Sequence, residues 1–215
     1  MQALRTFKRQ ADDCVAALYA YLTIHTVAGA SRPIREHVNE NALFWNIALH
    51  ALQSALILAL GRVFEHNTPH NIHTFMQVTS DNRIAFLRVA LGRRKAAIFD
   101  RDPEGLKSYI REARSPRPGD FSRVAARVRE HRKAYLASYR VLRHHVFAHT
   151  LTTDPDEIAD LFSKTNIRQL QRMTTYLGTL HDAFWEAFHN GGRLTLRRRR
   201  HSVARMLRRP KVGRW

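Results

Sequence analysis

The amino-acid sequence predicts an all-α fold, a helical bundle of long antiparallel helices followed by a basic C-terminal tail. Apolar residues recur at helical spacing along most of the chain, and no segment alternates with the period of two that is typical of strands. Because 44% of the 215 residues are hydrophobic, the chain can bury a core without disulfides. We expect one helical domain over residues 1-190 and an Arg-rich tail over residues 191-215.

Helix start and stop signals divide the first third of the chain. A first helix is predicted over residues 3–28, because Gly29 follows it. Ser31 as N-cap and Pro33 open a second helical pattern that runs to about residue 66. Since this pattern is apolar on most sides, we expect the second helix at the centre of the bundle.

Capping residues predict the helices of the middle of the chain. Asp81 is predicted to cap a helix over residues 83–94, and Asp102 a short helix that ends at residue 113. Asp120 is predicted to cap a long helix over residues 121–147.

Two further helices are predicted near the C-terminus. Asp154 and Pro155 are typical of a helix start, and a short helix should run from them to residue 163. The last helix is predicted from Asn166 to about residue 189, where the Gly191-Gly192 pair stops it.

The charge balance predicts a polyanionic partner, since 36 Lys and Arg face 18 Asp and Glu. Ten of the basic residues and no acidic residue lie in residues 193–215. We predict that the tail binds RNA phosphates; the alternatives are a solubilising tail or one that neutralises an acidic partner. The predicted tail contacts are Arg197, Arg198, Arg199 and Arg200.

Cysteine use and hydropathy predict a cytoplasmic protein without a membrane partner. Cys14 is the only cysteine, which excludes an intrachain disulfide and suits a reducing compartment. Residues 42–64 are the most apolar stretch, but they carry polar side chains that a lipid-facing helix rarely tolerates. These polar residues are Asn46, His50, Gln53, Ser54 and Arg62.

Several chemistries find little support in the sequence. No glycine-rich phosphate loop, paired-carboxylate signature or nucleophile elbow is present. His66, His70 and His73 could bind a divalent metal, although loop histidines more often bind none. His145 and His149 are four residues apart, yet the glutamate of a zinc-hydrolase HExxH motif is absent. We therefore expect neither a metal nor another cofactor.

Arg143 and His149 are the best candidate catalytic pair. A histidine can remove the proton from a ribose 2′-hydroxyl, and a guanidinium can stabilise charge on the phosphoryl oxygens, so RNA cleavage needs no metal here. His144 and His145 are predicted to bind or orient the substrate. The alternative is that Arg143 and His149 belong to a solvated helix end, and Arg32–His37 and Arg140–His145 have similar spacing.

The spacing of the pair has a geometric consequence. Six residues along an ideal α-helix correspond to a rotation of about 240°, so the two side chains would point away from each other. The helix must end between Arg143 and His149, or a second copy of the chain must complete the site. We therefore expect a homodimer.

The sequence Arg143-His-His-Val-Phe-Ala-His149 resembles the motif of the HEPN superfamily, an arginine, a polar residue and a later histidine. The chain is most similar to the AbiU-like abortive-infection branch, which has an early Asn and Trp, here Asn41 and Trp45. That branch continues with an Ala-Arg-aliphatic-Phe-acid run. The run is present in residues 60–65, with Gly61 in place of the usual alanine.

This resemblance covers most of residues 42–191, and the Arg-rich tail lies outside it. It implies a dimeric helical bundle with metal-independent endoribonuclease activity in phage defence or toxin-antitoxin systems, and an antitoxin protein as a further partner. The alternative is a noncatalytic HEPN-like module that binds RNA or a protein. A DNA-binding regulator has less support, because no recognition helix stands out.

Overall fold

The computed structural model describes residues 2–148 and 154–196, which form nine α-helices and contain no strand. A 3-10 helix, Arg83–Phe86, precedes the fifth α-helix, and a π-helix, Arg143–Ala148, follows the seventh. The all-α prediction is therefore confirmed. The α-helices are α1 (Gln2–Ala30), α2 (Arg32–Glu40), α3 (Ala42–Phe64), α4 (Ile72–Asp81), α5 (Arg88–Lys95), α6 (Pro103–Glu112), α7 (Pro118–Leu142), α8 (Pro155–Ser163) and α9 (Ile167–Asn190).

Several predicted helix ends are confirmed by their local hydrogen bonds. The Asp102 carboxylate accepts from the Gly105 N–H at 2.8 Å and caps α6. The Asn166 side chain accepts from the Arg168 N–H at 2.8 Å and caps α9. Gly191 ends α9 in the left-handed conformation, with φ of 64°. These signals were readable because each depends on only a few neighbouring residues.

Three predicted boundaries were wrong. The single helix expected to reach residue 66 is two helices, since the chain bends at Asn41 with ψ of 37°. Asp81 is the last residue of α4 and caps nothing. Asp120 lies in the first turn of α7, where its carboxylate accepts from the Arg117 N–H at 2.7 Å, so Arg117 is the N-cap.

The core forms where α1 packs against α3 and α9. Aromatic side chains fill its centre: the rings of Phe7 and Phe75 stack with centroids 4.3 Å apart, and Phe184 meets Phe75 edge-on at 5.1 Å. Leu60 and Phe64, in the last turns of α3, are fully buried beside them. The C-terminal end of α3 is thereby anchored in the core, and this end carries the residues of the candidate site.

The first half of α3 contradicts the expectation of a central helix. Leu43, Phe44 and Ile47 are 77%, 63% and 61% exposed, and we call them the α3 apolar face. Within the described residues, α3 is long and apolar enough to cross a membrane, as is the bent pair of α1 and α2 together. Core helices of soluble proteins have the same length and composition, so this test alone does not assign α3 to a membrane.

Candidate active site

The regular winding of α7 stops immediately before the candidate motif. Leu142 is the last α-helical residue, and Arg143–Ala148 continue as a π-helix. The long helix expected to end at about residue 147 thus continues to residue 148, but its last six residues are wound as a π-helix and not as an α-helix. A π-helix is less favourable than an α-helix and is often found at functional sites.

Glu65, directly after α3, holds the Arg143 side chain. The guanidinium Nη1 donates to Glu65 Oε2 at 2.7 Å, and the two side chains are only 19% and 10% exposed. The Tyr135 hydroxyl donates to the other carboxylate oxygen at 2.7 Å. Burial raises the pKa of Tyr135, and its hydrogen bond to Glu65 raises that pKa further. Tyr135 therefore stays protonated and acts only as a donor to Glu65.

A second residue of α3, Gly61, makes room for the arginine. A Cβ atom built on Gly61 would overlap the Cδ and Nε atoms of Arg143. The Arg143 Nε is buried and has no hydrogen-bond partner in the described part of the chain. Arg143 therefore lies flat against the helix and reaches Glu65 through Nη1.

The two histidines after Arg143 lie at the edge of this network. His144 Nε2 is 3.3 Å from Arg143 Nη1 and 3.6 Å from Glu65 Oε2. His145 faces the other way, with Nδ1 3.9 Å from Glu157 Oε1 of α8. The structure thus brings His144 to the guanidinium but places His145 against α8.

The other predicted site residues are distributed as follows. His149 and Arg197, Arg198, Arg199 and Arg200 lie outside the described residues. The alternative pair in α2 makes exposed ion pairs within its own helix: Arg32 with Glu36 at 2.7 Å and His37 with Glu40 at 3.6 Å. This arrangement is typical of a solvated helix surface.

The histidines beside Glu65 pack against each other. The rings of His66 and His73 stack with centroids 4.2 Å apart. Burial, the charge of His66 and the charge of Arg132 lower the pKa of His73 to about 4. No three His, Cys, Asp or Glu side chains converge as metal ligands within residues 2–148 and 154–196.

Sequence reasoning missed the roles of Tyr135 and Gly61, and it noted Glu65 only as the acid of a family run and as a neighbour of the histidines considered for a metal site. The one available signal was an acidic residue directly after a long apolar helix, since a carboxylate there requires a partner. The partner is separated from Glu65 by 78 residues in sequence. Only the packing of α7 on α3 identifies it.

A protein-family model of the HEPN type, described as AbiU2, matches residues 3–205. The match is wider than the resemblance read from residues 42–191. It includes Arg197 to Arg200, which that resemblance left outside the family pattern. No characterised protein and no solved structure matches the chain significantly.

Glu65→Gln should lower the free energy of unfolding by about 2 kcal/mol or more, because a poorly exposed guanidinium loses its carboxylate. Denaturant unfolding followed by circular dichroism measures this change. Glu104→Gln is the control, since the exposed Glu104–Lys107 pair should contribute less than about 0.5 kcal/mol. Equal effects of the two substitutions would contradict the role assigned to Glu65.

Gly61→Ala should not stabilise the protein, although alanine usually stabilises a helix interior by about 1 kcal/mol relative to glycine. The new methyl group must displace Arg143 from Glu65. Gly92→Ala in α5 is the matched control, because its Cβ would lie 3.8 Å from Ile110 in ordinary contact. Stabilisation of both variants by the same amount in thermal unfolding would refute the proposed steric role of Gly61.

Proposed function

Because the chain belongs to the AbiU2 family of HEPN proteins, we propose that it is a metal-independent endoribonuclease that acts in phage defence or as a toxin. Arg143 and His149 are the proposed catalytic residues, and two copies of the chain form the active site together. The proposed substrate is RNA in a single-stranded or loop region.

The observation that carries this proposal is the fixed position of Arg143 at the start of the π-helix. Glu65 accepts from its Nη1, and the Tyr135 hydroxyl holds Glu65 in turn by donating to the other carboxylate oxygen, while Nη2 makes no hydrogen bond among the described residues. A preorganised guanidinium with a free donor edge can bind a phosphoryl oxygen without reorganising during the reaction. Because a buried carboxylate holds Arg143 in place, the structure fits a catalytic role for this arginine better than the alternative of a solvated helix end.

The proposed reaction is a transesterification. His149 removes the proton of the ribose 2′-hydroxyl, whose oxygen attacks the adjacent phosphorus while the P–O5′ bond breaks. Arg143 stabilises the negative charge that develops on the phosphoryl oxygens. The leaving O5′ takes up a proton, so the products are a 2′,3′-cyclic phosphate and a 5′-hydroxyl. His144, beside the guanidinium, would orient the substrate, and His145 would contribute less because it faces α8.

The α3 apolar face supports a homodimer. Soluble proteins rarely leave large apolar side chains together on one surface, so Leu43, Phe44 and Ile47 indicate a covered interface. This surface continues to the motif, because the His50 ring of α3 lies 5.6 Å from the ring of Phe147 in the π-helix. A second copy packed on α3 would therefore lie next to the catalytic segment.

The remaining partners follow from the same proposal. A cytoplasmic enzyme would meet RNA directly, and its Arg-rich tail would add phosphate contacts. A toxin of this kind requires an inhibitor, so an antitoxin protein is the further expected partner.

One observation favours a second function, a noncatalytic HEPN module that binds RNA or a protein. The charge of Arg143 is already balanced by Glu65 at 2.7 Å, as it would be if the arginine only joined α3 to the end of α7. In that case Arg143 is structural and His149 has no chemical role.

Arg143→Ala and His149→Ala should each reduce RNA cleavage in EDTA by at least about a hundredfold. The first substitution removes the group that stabilises charge on the phosphoryl oxygens, and the second removes the general base. Cleavage of a mixed RNA pool by purified protein measures this, and the 3′ ends of the products should carry a cyclic phosphate. Arg140→Ala is the control, since Arg140 is exposed on α7. Absence of cleavage by the wild type, with RNA binding retained, would favour the noncatalytic module.

Replacing both Phe44 and Ile47 with Asp should convert the dimer to a monomer, because two buried charges at the interface are unfavourable. Sedimentation velocity of the purified variants measures the association state. Ile84→Asp with Ile98→Asp is the control, since these side chains are 75% and 71% exposed and lie outside α3. A dimer that persists in the first variant would contradict this interface.

A further inference from the structure

A cleft of about 500 Å³ lies near the start of α7, at the end of that helix opposite to Arg143. Five arginines contribute to its walls, and we call it the arginine cleft. Asp120 is the only acidic residue among the described residues that line it. The arginines are Arg88, Arg114, Arg117, Arg123 and Arg193.

Hydrogen bonds join the three chain segments that form the cleft. The Arg88 N–H donates to Ser115 Oγ at 3.2 Å, and the Arg88 Nε donates to the Ala113 carbonyl at 2.7 Å. The Arg114 N–H donates to the Gly191 carbonyl at 2.7 Å. The start of α5, the loop before α7 and the segment after α9 are therefore fixed together before any ligand binds.

Gly191 is required for this arrangement. Its left-handed conformation turns the chain after α9 back toward the α6–α7 loop, and it brings Arg193 to the cleft. A Cβ at Gly191 would lie 2.6 Å from both Leu91 and Ala113. Only glycine fits both the backbone angle and the space.

The single carboxylate does not neutralise the cleft. Asp120 accepts from the Arg117 N–H and forms an ion pair with Arg123, and these interactions, the backbone one first, lower its pKa. Asp120 is therefore ionised at neutral pH and compensates one arginine. Within the described part of the chain, the guanidinium groups of Arg114, Arg117 and Arg193 form no salt bridge, and of these three only Arg117 lies near enough to Asp120 to influence its pKa. Like charges held this close repel one another until an anion binds.

The sequence that follows the cleft indicates which anion binds. Thr195 lines the arginine cleft, and Leu196 is the last residue described before Arg197–Arg200. Four further arginines thus follow directly from the rim of the cleft. A single small anion would leave most of this charge unused, whereas successive phosphodiesters of one strand can pair with several guanidinium groups.

We propose that the arginine cleft is a phosphate-binding site that anchors the backbone of an RNA strand. The identity of the strand as RNA rests on the proposed function. Because α7 has 25 residues, the cleft and Arg143 are separated by roughly 37 Å along its axis. The anchor therefore binds a part of the RNA that is remote from the bond to be cleaved.

The test measures binding in an Arg143→Ala background, so that cleavage does not remove the probe. Arg114, Arg117 and Arg193 are replaced together by Ala, and binding of a fluorescent single-stranded RNA is followed by anisotropy at several salt concentrations. The Kd should rise about tenfold or more, and the slope of log K against log salt should become shallower by about 2.

The matched control replaces Arg9, Arg101 and Arg172 with Ala, which removes the same charge from exposed positions outside the cleft. Thermal unfolding of both triple variants checks that they fold. Equal Kd values and equal salt slopes for the two triples would overturn the proposal. If the cleft triple weakens binding of polyglutamate but not of RNA, the site binds an acidic protein and the proposal is also overturned.

Competition with inorganic phosphate shows whether the cleft binds an RNA strand or only a single small anion. Full displacement of RNA by millimolar phosphate at constant ionic strength would overturn the proposal of an RNA anchor. The test is independent of catalysis. RNA binding that depends on the cleft, together with a wild type that cleaves no RNA, would support the anchor and contradict the nuclease. RNA cleavage by the wild type, together with RNA binding that does not depend on the cleft, would support the nuclease and contradict the anchor.

Discussion

The bond between Glu65 and Arg143 connects the two parts of the molecule on which the candidate site depends. Glu65 follows the buried end of α3, whereas Arg143 begins the π-helix after α7. With Tyr135 on the second oxygen, one carboxylate fixes the last turns of α7 and the π-helix against the core. Loss of the carboxylate would leave a cation in a largely buried position, where water cannot fully replace the lost partner.

Local signals predicted much of the fold, and longer-range effects explain the failures. The caps at Asp102 and Asn166 could be read because a side chain meets a backbone N–H two or three residues away. The α4 helix was missed, although Ile72, Phe75 and Thr79 follow a helical pattern that is now buried. The bend at Asn41 occurs without Gly or Pro, and its local signal was Asn41 itself, since asparagine is favoured at helix starts.

The candidate site was less predictable than the fold. The motif directed attention to Arg143, and the 240° rotation between Arg143 and His149 showed that an ideal α-helix could not join them on one face. The π-helix and the pairing with Glu65 depend on contacts across 78 residues of sequence. The apolar pattern of α3 was also ambiguous, because burial inside one chain and burial between two chains require the same side chains.

The separation of the arginine cleft from Arg143 has a kinetic meaning if the chain cleaves RNA. Contacts made far from the scissile phosphate are the same before and in the transition state, so they lower KM without raising kcat. The Glu65–Arg143 pair would instead raise kcat, because the interaction of a preoriented guanidinium with the phosphoryl oxygens becomes stronger as negative charge develops on them. Affinity and chemistry then reside at opposite ends of α7. A substitution in the arginine cleft should leave kcat largely unchanged, and a substitution of Arg143 should leave KM largely unchanged. On that proposal, a chain with so high a positive charge would bind many polyanions and still cleave only those that reach Arg143.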